Sequence, residues 1–227
     1  ATDSEEQIEL RLMAHYSKDK ELVKAYLENM DIHTATAAKV FGVTEIEVTG
    51  EMRRRAKAVN FGIIYGISDY GLSDNIGTSV AEAKRFIEKY FETYPSVKKY
   101  MEDTKRYAHE NGYVRTLFGR VRYIPELKSS NFNLRSFGER AAMNMPLQGS
   151  ASDIIKIAMI NVYNALKNEG LHSKLLLQVH DELIIDAPIA EVDRVKRMLK
   201  NEMEKVAKLT VPLVADVSSG NNWMEAK

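Results

Sequence analysis

The chain has no cysteine among its 227 residues, only five prolines and a single tryptophan. Without thiols there are no disulfides, no thiolate nucleophile and none of the common cysteine-containing structural zinc sites, and the composition suits a reducing compartment. Charge of one sign is not in excess either. The 32 basic side chains are matched by 32 acidic ones, so any polyanion must be held by a local basic patch rather than by overall charge. No run of about 18 apolar residues is present, nor the charged start, apolar stretch and small-residue cleavage site of a secretory signal, so the chain reads as soluble and intracellular. Repeats, low-complexity tracts and linkers rich in Gly, Ser or Pro are missing, which implies that any subdomains pack closely. What is present is apolar material, 44% of residues, with 28% charged: enough for one large domain or two small ones, and too much for a disordered chain.

Helical periodicity dominates the first two thirds. Ile8, Leu12 and Tyr16 recur at four-residue spacing, and residues 79–94 read as an amphipathic helix closed by Pro95. Residues 111–125 (NGYVRTLFGRVRYIP) alternate aromatic, β-branched and basic side chains around Phe118-Gly119, the pattern of a short hairpin. Two helices are expected next, one over 131–147 broken by Pro146 and Gly149, and one over 151–169 ended by Gly170. Past Gly170 the period changes to two: 174–179 and 183–187 are strand-like runs separated by His180, Asp181 and Glu182, a tight hairpin with a charged tip. A helix over 191–208 and a final strand over 211–217 complete the pattern. The expected class is α/β in the α+β sense, a helix-rich part followed by a small antiparallel sheet backed by helices.

Between residues 51 and 66 the string EMRRRAKAVNFGIIYG sets Arg53, Lys57, Phe61 and Tyr65 four apart, so they advance by about 40° per step along one helical face. Two cations followed by two aromatics can present Arg53 and Lys57 to phosphate oxygens while Phe61 stacks on a base or sugar, as recognition of a nucleoside triphosphate requires. The plainer reading is a solvated basic face beside a buried aromatic one. Gly62 and Gly66 weigh against it, because a helix-interior glycine costs about 1 kcal/mol and suits close approach of a ligand or backbone.

The string RRRAKAVNFGIIYG closely resembles the fingers-helix motif of the family A DNA polymerases, the bacterial DNA polymerase I group. QIELR at 7–11 resembles the end of that family's first palm motif, QVHDE at 178–182 its last, and NMPLQG at 144–149 also matches, in the family's order and spacing. The resemblance implies template-directed DNA synthesis, with primer-template DNA and deoxynucleoside triphosphates as partners, no membrane, two Mg2+ ions as cofactors, and a cytoplasmic setting at the bacterial nucleoid. By similarity Arg53, Lys57 and His33 contact phosphates, Phe61 packs on the sugar and base, and Tyr65 stacks at the templating position. Glu9, with Gln7 nearby, resembles the carboxylate that crowds the sugar 2′ position and excludes ribonucleotides, and a phenylalanine at 61 implies discrimination against dideoxynucleotides. Arg140, Asn144 and Gln148 lie four apart on one helical face until Pro146 interrupts, at positions the family uses on template and primer, and His180 falls on the primer. Read without the resemblance, His33 belongs to an ordinary surface helix cap at 31–34, and Asn144 serves equally well as a polar group satisfying buried backbone. Lys98, Lys99, Lys105, Arg106, Arg115, Arg120 and Arg122 add cations suited to a phosphate backbone, or simply to water.

The implied chemistry is nucleotidyl transfer with two ions about 3.5–4 Å apart. Asp181 is the implied metal ligand, with Glu182 beside it in a secondary role. A second carboxylate should come from the first palm motif, and there the chain departs from the family. Where relatives read Asp-Tyr-Ser before the glutamine, this chain has Ser4, Glu5 and Glu6, and Asp3 stands one residue too early, a shift that in a strand turns a side chain to the opposite face. The altered start fits a helix N-terminus instead, with Thr2 or Asp3 as cap. The resemblance divides the chain into a remnant of the first palm motif and its following helix (1–25), fingers (26–130) and palm (131–227). The thumb, the preceding palm and any exonuclease domain are expected to lie outside it, as in a fragment or an engineered piece. Two functions stay open: polymerisation, or a catalytically silent module that binds nucleotide or primer-template.

Overall fold

In the computed structural model, residues 4–226 are described. Helix α1 (Ser4–Ser17) contains residues 7–11, so the stretch that opens on Ser4 is helical, as the acidic start suggests. Asp3 and Thr2, the expected cap and the doubtful metal ligand, lie outside the described residues. The next five helices are each opened by a side chain that accepts otherwise unpaired N–H groups: Asp19 for α2 (Lys20–Leu27), Asp31 for α3 (Ile32–Phe41), Thr49 for α4 (Gly50–Ile64), Ser68 for α5 (Asp69–Ile76) and Ser79 for α6 (Val80–Thr93). Pro95 then begins α7 (Pro95–Asn111), where its missing N–H removes no intrahelical bond, so one proline both ends α6 and starts α7.

The first hairpin forms as expected, with β1 (Tyr113–Arg115) antiparallel to β2 (Val121–Tyr123) and Val114 opposite Arg122. The two helices expected after it are one. Helix α8 runs unbroken through Phe132–Asn168, 37 residues with Pro146 inside it. Tertiary packing overrides the local breakers here. Ser150 is fully buried; its hydroxyl donates to the Pro146 carbonyl and accepts from the Leu117 N–H at 2.8 Å and from the Tyr16 hydroxyl at 2.9 Å, tying the disputed turn to α1 and to the first hairpin. Gly149 is there for proximity, since a Cβ would stand 2.7 Å from Thr116 Cγ2.

The second hairpin pairs β3 (Lys174–Val179) with β4 (Glu182–Asp186), with a register irregularity between Leu175 and Leu177, and His180 takes a positive φ of 54° at its tip. Helix α9 (Val192–Glu204) and the C-terminal half of α8 back it through Leu183, Val195, Met198, Leu199, Ile155 and Val162. The final strand expected over 211–217 does not form. Its backbone is spent on side chains instead of a ladder: Arg11 donates to the Pro212 carbonyl at 2.7 Å, and the Ala215 N–H donates to the Glu204 carboxylate at 3.0 Å. The largest core gathers α1 to α7 and the middle of α8 around Leu10, Leu12, Leu22, Ile64, Leu72, Tyr90, Tyr94 and Leu147. No described helix is long and apolar enough to cross a membrane.

Candidate nucleotide and nucleic-acid site

Helix α4 carries the cationic and aromatic stripe to its C-terminal end, where Tyr65 caps it and Gly66 turns the chain with φ of 66°. Gly62 makes room for a side chain. A Cβ there would meet Ile67 Cγ2 at 2.6 Å, so the glycine lets the chain fold back on the helix it has just left. Lys57 holds its ammonium 5.8 Å from the Phe61 ring centroid, and the same ring meets His33 edge-on at 5.3 Å. Arg53 points to a different partner, its Nε donating to Asp31 Oδ2 at 2.7 Å. Asp31 thereby caps α3 and holds the first cation of the stripe. Burial alone would raise its carboxyl, but hydrogen bonds from Arg53 and from the backbone of Thr34 and His33 bring it below the usual carboxylate range. The adjacent Arg54 and Arg55 both donate to Glu51, whose carboxyl falls to about 2 under those bonds.

Two cavities meet at Tyr65. One, of about 690 Å3, is lined by Arg54, Lys57, Phe61, Tyr65, Asn75 and Arg140 among others. The second, of about 320 Å3, is lined by Glu9, Tyr65, Gln148, Lys156, His180 and Asp181 among others. The Tyr65 hydroxyl donates to Glu9 Oε2 at 3.1 Å, bridging 56 residues of sequence between them. Thus eight of the expected residues, Lys57, Phe61, Tyr65, Arg140, Glu9, Gln148, His180 and Asp181, line this pair of adjoining cavities.

The others stand apart from it. His33 is 5% exposed, set behind Phe61 rather than in a surface cap. Asn144 lies between Arg140 and Gln148 on the unbroken α8, half-buried, with its side-chain oxygen buried and lacking a hydrogen-bond partner among the described residues. Glu182 follows Asp181 into β4, half-buried, and does not line the cleft. Gln7 belongs to α1, and its side chain lies outside the described part of that helix. Several of the expected backbone-binding cations are already paired: Lys99 and Arg106 with Asp103, Lys105 with Glu139, and Arg120 with Asp153. Six polar lining residues lie beyond the sequence expectation. Arg54 and Gln178 stand inside quoted motifs, whereas Ser68, Asn75, Ser152 and Lys156 carry no local signal.

The donor set bears on metal binding. Among the described residues no three Asp, Glu, His or Cys side chains converge. Magnesium is usually held by one or two carboxylates together with substrate phosphates and water, and Asp181 in the cleft, with Glu9 across it, can supply such oxygens.

Residues 4–225 match DNA polymerase family A. The chain belongs to that family. Family A relatives include the DNA polymerase I of Caldicellulosiruptor bescii, 58% identical over 221 residues, which cover 97% of this chain and 26% of the relative. The DNA polymerase I of Bacillus subtilis is 56% identical, over 97% of this chain and 25% of its own. The chain therefore spans about a quarter of the length of these curated relatives. Among solved structures it is similar to the POL domain of Pol1 from M. smegmatis in complex with DNA primer-template and dNTP, with a TM-score of 0.93 and 45% identity, covering 97% of this chain and 39% of that one. The helical class with two small antiparallel sheets is that of a polymerase domain.

Proposed function

We propose that this chain is the nucleotide-handling portion of a DNA-directed DNA polymerase, with fingers at 26–130 and palm at 131–227, working in the bacterial cytoplasm at the nucleoid. The observation that carries the reading is the junction at Tyr65. There the cavity on the Lys57–Phe61 face of α4 adjoins the cavity at the Asp181 hairpin tip, with Tyr65 lining both. Lys57, Arg53 and His33 receive the triphosphate of an incoming dNTP, Arg53 leaving Asp31 and His33 reaching past Phe61 to do so. Phe61 packs on the sugar and base, Glu9 and Gln7 crowd the sugar 2′ position, and Tyr65 marks the templating position. Arg140, Asn144, Gln148 and His180 hold primer and template, the buried Asn144 oxygen being suited to a donor from outside the chain. In the reaction the primer 3′ hydroxyl gives its proton to water and its oxygen bonds to the α-phosphorus as the bond from that phosphorus to the bridging oxygen breaks and pyrophosphate leaves. Asp181, with Glu182 adjacent, would hold Mg2+, which supplies charge neutralisation and a more acidic 3′ hydroxyl when bound.

A second reading is favoured by one feature: helix α1 begins at Ser4, where relatives place a carboxylate, so the chain binds nucleotide or primer-template without turning it over. Primer extension with magnesium and all four dNTPs separates the two. Activity in the unaltered chain that is lost in Asp181→Ala supports polymerisation by this chain; activity gained only in Ser4→Asp supports the silent module and identifies its lesion.

A further inference from the structure

Behind the α4 stripe lies a buried polar chain that ends on His33. Asn60 and Thr36 are fully buried, and Tyr94 and His33 are 2% and 5% exposed. Asn60 Nδ2 is 3.0 Å from His33 Nδ1, Thr36 Oγ1 is 3.2 Å from Asn60 Oδ1, and Thr36 Oγ1 is 3.0 Å from the Tyr94 hydroxyl. The four groups link α3, α4 and the residue between α6 and α7.

The direction of these bonds follows from their inner end. Thr36 is the hydrogen-bond partner of the Tyr94 hydroxyl, and Asn60 and Tyr94 are those of the Thr36 hydroxyl. Burial pushes the Tyr94 phenol up to about 12, so it keeps its hydrogen. That hydrogen goes to Thr36 Oγ1, the hydrogen-bond partner the hydroxyl has among the described residues. Thr36 then spends its single hydrogen on Asn60 Oδ1. The Asn60 amide is thereby oriented with its NH2 toward His33, and Nδ1 of the imidazole has to accept. Turning the amide over would satisfy Asn60 and Thr36 equally well but would strand the Tyr94 hydrogen.

We propose that Asn60 is a positioning residue for the nucleotide site: with Thr36 and Tyr94 behind it, it fixes His33 as the tautomer that carries its proton on Nε2. This rests on the reading of His33 as a phosphate contact, for which an N–H on the ring edge away from Asn60 is the useful form. It also explains a buried asparagine in the apolar run between Val59 and Ile63, a place where an unpartnered amide would be costly.

The test is the tautomer itself. Long-range proton–nitrogen NMR spectra of the uniformly 15N-labelled chain distinguish a protonated from an unprotonated Nδ1, and His33→Gln identifies the His33 signals among the five histidines. The expected result is an unprotonated Nδ1 in the unaltered chain. In Asn60→Asp, whose carboxylate can only accept, the proton is expected on Nδ1. In Tyr94→Phe, which removes the donor that sets the direction, both tautomers are expected; this variant leaves Asn60 in place and carries the test should the aspartate disturb folding. A protonated Nδ1 in the unaltered chain, or an unchanged tautomer in both variants, overturns the proposal. Adding dTTP to the same sample tests the nucleotide reading separately. A His33 with its proton on Nε2 that does not respond to saturating dTTP defeats the phosphate role while the tautomer assignment stands.

Discussion

Lys57 and Phe61 illustrate what residue-scale spacing does and does not reveal. Four-residue spacing on one helix put them on a common face, and they line the same cavity. The same spacing also placed Arg53 beside them, yet Arg53 reaches Asp31, 22 residues away, because pairing between helices depends on packing that spacing cannot encode. Tyr65 and Glu9 are a still longer case, legible only through the family resemblance that named both. If Lys57 supplies a charge-assisted bond to phosphate, Lys57→Ala should lose about 1.5–3 kcal/mol of nucleotide binding, roughly 10- to 100-fold in affinity. Calorimetric titration with dTTP and magnesium measures this, and an unchanged Kd would remove Lys57 from the site. Gly62 makes an independent prediction. Because its missing Cβ leaves room for Ile67, Gly62→Ala should overpack the turn and destabilise the fold by about 1–3 kcal/mol, although alanine is the better helix former. A rise in Tm would show that the contact with Ile67 relaxes at no cost.

Among the elements, helices were easiest to foresee, because caps and apolar period agree at most of them. The failures have a common physical origin. Pro146 and Gly149 stopped a helix on paper, and the final strand over 211–217 was read from apolar content, but tertiary hydrogen bonds decide both places: the Ser150 hydroxyl holds the Pro146 carbonyl, the Leu117 N–H and the Tyr16 hydroxyl together around one, and the Arg11 and Glu204 side chains take backbone groups around the other. The α3 cap offers a prediction at this scale. Asp31 accepts from the N–H groups of His33 and Thr34 while holding Arg53, and its carboxyl titrates below its ordinary value of 3.8 in the fold. A group that binds its proton less readily folded than unfolded stabilises the fold above its unfolded value, and that contribution is lost as pH falls through the folded one. An asparagine in its place would still cap, so Asp31→Asn should cost less than about 1 kcal/mol near neutral pH, and Asp31→Ala about 1–2 kcal/mol. The difference between the unaltered chain and Asp31→Asn should be constant above about pH 5 and shrink below pH 3.8. Denaturant unfolding across that range checks it, and a difference that widens in acid would contradict the sign.

For the whole molecule, the consequential feature is how α8, which also lends Ala142 and Met145 to a third cluster under the first hairpin, joins the largest core to a smaller one at its C-terminal end. At about 1.5 Å per residue its 37 residues extend roughly 55 Å, the middle buried in the large core and the C-terminal half serving as the floor of the smaller one. The larger core draws on α1 to α7, whereas the smaller is built from the end of α8, α9 and a two-stranded hairpin that leaves Leu176 and Leu177 55% and 49% exposed. A two-stranded hairpin with one covered face has little to hold it, so opening should be graded along α8 rather than all-or-none. Amides of β3, β4 and α9 are expected to exchange hydrogen well before those of α1, α4 and residues 142–155. Asp181 sits at the tip of that hairpin, while Lys57 and Phe61 ride on the stable core, so the nucleotide-binding face should persist under conditions that disorder the carboxylate. Mass-spectrometric hydrogen exchange in rising urea, read beside dTTP binding, decides the point. Loss of protection in β3 and β4 with binding retained would establish two separable halves of the site, and simultaneous loss of both would make the site and the fold one cooperative unit.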